Sequence, residues 1–334
     1  MMRSRFAATL EALRHRFAAK GVVLMYHRVA NEAIDPWGLC VCEDRFAEHL
    51  AILKQDFHPI SLQELLAGAR RRRIRHGSVA ISFDDGYADN VGTALPMLLS
   101  AGVPVTFFIA TAAIDSMEPF WWDQLAWTLF TPRSLPETLE IRLPGHRRRW
   151  ELDRGAQAVQ SGNVVDHPWD APPASRAGLH YSVWGFLREL SDADRRVALA
   201  QLRDWSGSQR PDGRGMSLGE LRRAADTPGV DIGAHSVSHP NLVGIDSQAR
   251  VNEIAGSKRE LERRIGRGVT AFAYPFGDYD EATMLAVREA GFELACAGDP
   301  GAVSSRTDPY AIPRLAVGQW NGAELRRRLT TLLQ

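Results

Sequence analysis

A chain of 334 residues with 45% apolar side chains carries enough apolar surface for one large domain or two smaller ones. Its 40 basic and 40 acidic residues cancel to a formal charge of zero, so no global field draws the protein to nucleic acid or another polyanion. Cys40, Cys42 and Cys296 form an odd set without paired metal-type spacing, which argues against a disulfide framework and a zinc knuckle and fits a reducing compartment.

Residues 1–20 read as an N-terminal helix. Phe6, Leu10, Leu13 and Phe17 fall on one helical face with arginines around them, so this helix either packs on a core or lies on a membrane surface. It lacks the uninterrupted apolar stretch of a secretory signal. From there the chain alternates. Apolar runs predict strands at Val22–Val29, Ser78–Phe83, Pro104–Thr111, Val230–His235, Thr270–Pro275, Leu294–Ala297 and Ala311–Val317. Helical periodicity marks Asp44–Gln55, Asn90–Ala101, Ser247–Ile265 and Glu281–Ala290. Continuous apolar strands interleaved with helices predict an α/β fold with a mostly parallel sheet, open or closed into a barrel. The most apolar segment, Gly102–Ile114, is shorter than the roughly 18–20 residues that span a bilayer, and no transmembrane segment is expected.

The rhythm breaks between about Asp115 and Gly215, which reads as a large irregular insertion in a domain running over residues 21–334. Part of it is expected to fold, because Tyr181–Trp205 has helical periodicity. Trp121-Trp122 either buries against a core or forms a lid on which a sugar docks. The arginine clusters 70–73 and 147–149 read as solvated loops, with a phosphate or lipid contact as the alternative.

Two segments carry candidate chemistry. In Ile81-Ser82-Phe83-Asp84-Asp85-Gly86-Tyr87 a strand runs into paired carboxylates, which stand where parallel α/β folds bind ligands but are also good turn and capping residues. In Val230–His235 and on through Ser236-Val237-Ser238-His239-Pro240, a second strand leads into two histidines four residues apart, a spacing that suits metal ligation as well as a structural role. Together the segments offer one carboxylate and two imidazoles, a ligand set of catalytic zinc that leaves a position open for water. A spare carboxylate is then available as a base.

These motifs resemble those of the polysaccharide deacetylases that share the NodB homology domain, carbohydrate esterase family 4. Ser82-Phe83-Asp84-Asp85-Gly86 is similar to the family's first motif, His235-Ser236-Val237-Ser238-His239-Pro240 to its second, and Ala273-Tyr274-Pro275-Phe276-Gly277 to its third. The resemblance covers about 20–112 and 216–318. It implies a distorted (β/α) barrel of about seven parallel strands, of the glycoside hydrolase/deacetylase type. It also implies Asp84 as catalytic base, Asp85, His235 and His239 as ligands of a divalent metal with zinc the expected ion, and a Phe276 N–H on the oxyanion. Tyr87, Pro275, Phe276, Trp121 and Trp122 are the expected substrate-binding residues.

The chain departs from the family pattern in two places. Where many members carry an arginine before the third motif's proline, this chain has Phe272, Ala273 and Tyr274, and Arg314 is the candidate to orient Asp84 in its place, with a surface role as its alternative. Many members also carry a late histidine as general acid. No histidine follows His239 here, which leaves His27 as a candidate acid, with a structural hydrogen bond as its alternative. The resemblance implies removal of N-acetyl groups from a saccharide or polysaccharide precursor, with a lipid-linked sugar among the expected partners. A cytoplasmic setting or the inner membrane face follows from the missing signal segment. Deformylation or other C–N hydrolysis, and an inactive saccharide-binding module, are the competing readings.

Overall fold

The computed structural model describes residues 20–156, 170–209 and 214–334, so the expected N-terminal helix lies outside the described residues. Among the described residues no helix is long and apolar enough to cross a membrane. The main sheet is parallel throughout. Its continuous path runs β11 (Leu294–Cys296), β10 (Ala271–Ala273), β9 (Val230–Ala234), β6 (Val105–Ile109), β5 (Ser78–Phe83), β1 (Gly21–Tyr26) and β12 (Leu315–Ala316), and β4 (His58–Pro59) pairs with the start of β5. The short strands β2 (Arg28–Val29) and β3 (Cys40–Val41) pair with each other outside this sheet.

The sheet's centre is its most regular part. All six residues of β5 are buried, as an apolar run covered on both faces requires, and β5 pairs residue for residue with β1 from Gly21↔Ser78 to Tyr26↔Phe83. At the other end pairing is sparse, with Phe272↔Ala234 the single register pair of β9 and β10. A bridge between Cys296 and Ile312, followed by Leu24↔Leu315 and Met25↔Ala316, carries the chain from β11 back to β1. This short final strand closes the ring into a distorted barrel.

Helices cover the outside. α1 (Glu43–Asp56) buries Phe46, Leu50 and Leu53, while α2 (Leu62–Arg70) starts on a capping box between Ser61 and Glu64. The helix predicted over Asn90–Ala101 opens instead with a π-helical turn, Asn90–Ala94, before α3 (Leu95–Ala101). Pro96 lacks an N–H and interrupts the regular ladder, and the Leu95 N–H reaches back five residues to the Asn90 carbonyl.

The stretch that breaks the strand–helix rhythm has a core of its own. α4 (Trp121–Phe130) is followed by the hairpin β7 (Thr138–Leu143) and β8 (His146–Glu151), then by α5 (Arg176–Arg188) and α6 (Asp192–Ser206). Leu125, Leu129, Ile141, Val183, Leu187 and Leu202 are buried together between them. Helical periodicity over Tyr181–Trp205 thus resolves into two helices, because Ser191 accepts the Asp194 N–H and starts a new one. The main chain then returns through α7 (Leu218–Ala225), α8 (Ser247–Ile265), α9 (Glu281–Glu289) and α10 (Gly322–Leu333).

Candidate active site

The site residues other than Arg314 emerge at the carboxyl ends of barrel strands. Asp84 and Asp85 follow β5, His235 follows β9, Phe276 follows β10, His27 follows β1, and Arg314 immediately precedes β12. The barrel thereby brings residues more than 200 positions apart to one mouth.

The two aspartates diverge because the chain turns sharply between them. Asp85 takes a left-handed φ of 71°, Gly86 takes 88°, and the Gly86 N–H donates to the Asp84 carbonyl at 2.9 Å. Gly86 also lies so close to β6 that a Cβ would stand 3.0 Å from two carbons of Ile109. Ser236, His239 and Phe276 are likewise left-handed, at 63°, 55° and 60°. Four of the six non-glycine residues with positive φ among the described residues therefore line one site, a concentration of backbone strain that surrounding contacts must hold.

Asp85 Oδ1 stands 3.5 Å from His235 Nε2 and 3.4 Å from His239 Nε2, and the three donor atoms lie within 4.8 Å of one another. Donors on a tetrahedral zinc with bonds of about 2.0–2.1 Å are separated by roughly 3.3 Å, so this set fits a small divalent cation. Asp85 and His235 are 2% exposed and His239 is 7% exposed. Burial pushes both imidazoles below their ordinary range, with His235 adding to the effect on His239, and neutral rings keep lone pairs to donate. Burial and the adjacent Asp84 push the Asp85 carboxyl well up, a cost that a bound cation relieves.

The two imidazoles of this cluster are held differently. His235 Nδ1 makes a 2.8 Å hydrogen bond with the Ala273 carbonyl, and donating there directs its Nε2 lone pair at Asp85. Among the described residues no other residue hydrogen-bonds the buried His239 Nδ1, and its ring is instead wedged between Trp122 and Phe276 at centroid distances of 4.8 and 4.6 Å.

Asp84 belongs to a second, ionic arrangement. Arg314, fully buried, donates from both terminal nitrogens to the two carboxylate oxygens at 2.7 Å each, while its Nε–H donates to the Ala297 carbonyl at 2.9 Å. Burial pushes Asp84 up, but the charge and hydrogen bonds of Arg314, with His235, outweigh it and hold the carboxyl well below the usual range. Asp84 Oδ2 lies 3.9 Å from His235 Nε2, at the edge of the ligand cluster without belonging to it.

His27 sits half-buried beside this pair. Burial pushes its imidazole down to about 4 against the upward pull of Asp84, so it is neutral near pH 7, and its backbone carbonyl accepts from Asn90 Nδ2 at 2.8 Å. Of the expected groove aromatics, Phe276 is half-buried, whereas Tyr87, Trp121 and Trp122 are buried. Trp122 Nε1–H donates to the Tyr87 hydroxyl at 2.6 Å, which donates to Asp123 Oδ2 at 2.9 Å. Burial pushes Asp123 up to about 7 despite the nearby Arg28. No sequence motif marks Asp123, an acid in the first turn of α4.

The chain resembles known proteins in sequence and in fold. The sequence model of the family described as polysaccharide deacetylase matches residues 71–140 and 187–295. The Bacillus subtilis protein YxkH, named as a polysaccharide deacetylase, is 32% identical over 89 residues, which is 27% of this chain and 32% of YxkH. The chain thus spans about a third of that curated relative. Three solved structures share the fold at low identity. The Streptococcus pyogenes deacetylase PplD in complex with acetate has a TM-score of 0.58 at 15% identity, over 93% of this chain and 99% of that one. The de-N-acetylase from Aggregatibacter actinomycetemcomitans has a TM-score of 0.55 at 15% identity, over 93% and 100% of the two chains. IcaB from Ammonifex degensii has a TM-score of 0.56 at 16% identity, over 95% and 97%.

Proposed function

The chain belongs to the polysaccharide deacetylase family, and from that premise we propose that it is a metal-dependent hydrolase that removes acetyl groups from the nitrogen of an N-acetylated saccharide. The observation that carries the reading is the convergence of one buried carboxylate and two neutral imidazoles on a cation-sized space, with a separate, ionised carboxylate at its edge.

In this reading Asp85, His235 and His239 hold the cation. When bound, it supplies a Lewis acid that lowers the pKa of water from about 15.7 towards roughly 7 and polarises the acyl carbonyl. Asp84 takes the proton of the attacking water. Arg314 fixes the plane of the Asp84 carboxylate and keeps it ionised, so the base is ready at neutral pH. Because His27 is neutral and further positive charge nearby lowers its pKa again, the proton received by Asp84 is the one at hand for the leaving amine. Asp84 therefore serves as base and then as acid. Pro275 and Phe276 form the groove wall, and the Phe276 N–H shares the developing oxyanion charge.

The test is acetate release from N-acetylated oligosaccharides by the chelated protein, the zinc-reconstituted protein and the Asp84→Asn variant. Turnover that returns with zinc and falls by about 10²- to 10⁴-fold in Asp84→Asn is expected. Release unaffected by a chelator would remove the metal from the mechanism, and zinc-loaded protein that binds saccharide without any turnover would restore the inactive-module reading.

A further inference from the structure

We propose that Glu253, on the outer helix α8, is the positioning residue for His239 and through it sets the cation affinity of the site; this rests on the metal-holding reading above. The loop from His235 to His239 has to present two rings from a short span, and it does so with left-handed φ angles at Ser236 and His239. Such angles are costly for residues that carry a side chain and persist only where neighbours over-determine them.

The neighbours are arranged on two sides. On one, the turn after β6 holds the loop's carbonyls, with the Thr111 N–H donating to Ser236 O at 3.1 Å and the Ala112 N–H to Val237 O at 2.8 Å. On the other, Glu253 takes the loop's donors. Its Oε2 accepts the backbone N–H groups of Val237 and Ser238 at 2.8 Å each, and its Oε1 accepts the Ser238 hydroxyl at 2.7 Å. The Arg195 charge lies near enough to Glu253 to feel it, but the direct hydrogen bonds of the carboxylate that the described residues show go to the loop. Hydrogen bonds to a carboxylate are stronger than those to a neutral acceptor, so three of them suit it to hold the strained angles.

The asymmetry between the two rings gives this clamp its consequence. His235 is aimed by its own hydrogen bond to Ala273, so it needs little from the loop. Among the described residues no other residue hydrogen-bonds His239 Nδ1, so its direction depends on its own backbone, tied within the loop by the His239 N–H to Ser236 Oγ at 3.0 Å, and on packing. The helix fits closely there. One turn along α8 from Glu253, a Cβ on Gly256 would stand 3.2 Å from Val237. Glu253 touches neither the ligand atoms nor Asp84, and it acts by keeping the third ligand in place.

The experiment compares Glu253→Ala and Glu253→Gln with the unaltered full chain. Zinc affinity is read by competition with a chromophoric chelator, and exchange of the Val237 and Ser238 amide protons is followed in the metal-free protein. A glutamine oxygen can still accept both N–H groups while its NH₂ donates to Ser238 Oγ. Zinc affinity about 10- to 100-fold weaker in Glu253→Ala, near the original in Glu253→Gln, with faster exchange only in the alanine variant, is expected. Equal affinity in Glu253→Ala overturns the proposal, as does a glutamine variant as weak as alanine. If the unaltered protein takes up no divalent ion, the metal reading falls by itself, and exchange at the two amides unchanged by Glu253→Ala then overturns the clamp as well.

Discussion

Arg314 shows how far one residue can set the chemistry of another. Its two parallel hydrogen bonds to Asp84 lower the carboxyl's pKa, so removing the guanidinium raises it and moves the acidic limb of the pH–rate profile to higher pH. Arg314→Lys keeps a charge but loses the planar fork, and we expect kcat/KM to fall by at least about tenfold with the limb displaced upward. Arg314→Leu leaves Asp84 buried without a partner and is expected to cost about 3–5 kcal/mol of stability, measured by urea unfolding. His27→Ala is the contrast. A neutral imidazole has no proton to give, so kcat should change by less than about tenfold, and a loss near that of Asp84→Asn would reinstate His27 as the acid.

At the scale of the elements, the legibility of this chain followed burial. Ser78–Phe83 and Ser247–Ile265 stand where their patterns place them, because a run buried on both faces and a long amphipathic helix leave few alternatives. The hairpin was obscured. Its first strand alternates Leu139, Ile141 and Leu143 with polar residues and a Pro144-Gly145 turn follows, but the second strand is exposed and carries Arg147, Arg148 and Arg149, a composition that reads as loop. The paired aspartates and histidines were legible because they sit at strand ends in order. Glu253 and Asp123 were not, since an acid whose partners are backbone N–H groups or a distant tyrosine looks like any solvated side chain.

Helix α5 carries a further consequence of burial. His180 is fully buried between Trp37 and Phe130 with neither ring nitrogen hydrogen-bonded among the described residues, and burial pushes its pKa down to about 3. The unfolded chain, with its ordinary value near 6.5, binds this proton more readily. Stability is therefore present in full above about pH 6.5 and falls by about 1.4 kcal/mol per unit as pH drops from there towards 3. His180→Phe should flatten that part of the acid limb, seen as a smaller difference in unfolding free energy between pH 7 and pH 5. An unchanged difference would mean that His180 finds a partner in solution.

For the molecule as a whole, the barrel and the insertion have separate cores that meet where Trp122, His239 and Phe276 touch. A ligand bound at His239 should thus stabilise both. Zinc at about 100 times its dissociation constant is expected to add roughly 2.7 kcal/mol and to raise a single calorimetric transition. Two transitions, of which zinc moves one, would show the cores to be independent. The order in which the chain is made adds a last point. The three proposed cation ligands and the proposed base are all synthesised by residue 239, yet the guanidinium paired with Asp84 arrives at the strand that seals the ring, 230 positions after Asp84. A ribosome-bound chain halted before that strand, or one clipped ahead of it, would carry Asp85, His235 and His239 beside a carboxylate still lacking its counter-ion, so on the proposed mechanism hydrolysis would wait for the barrel to shut.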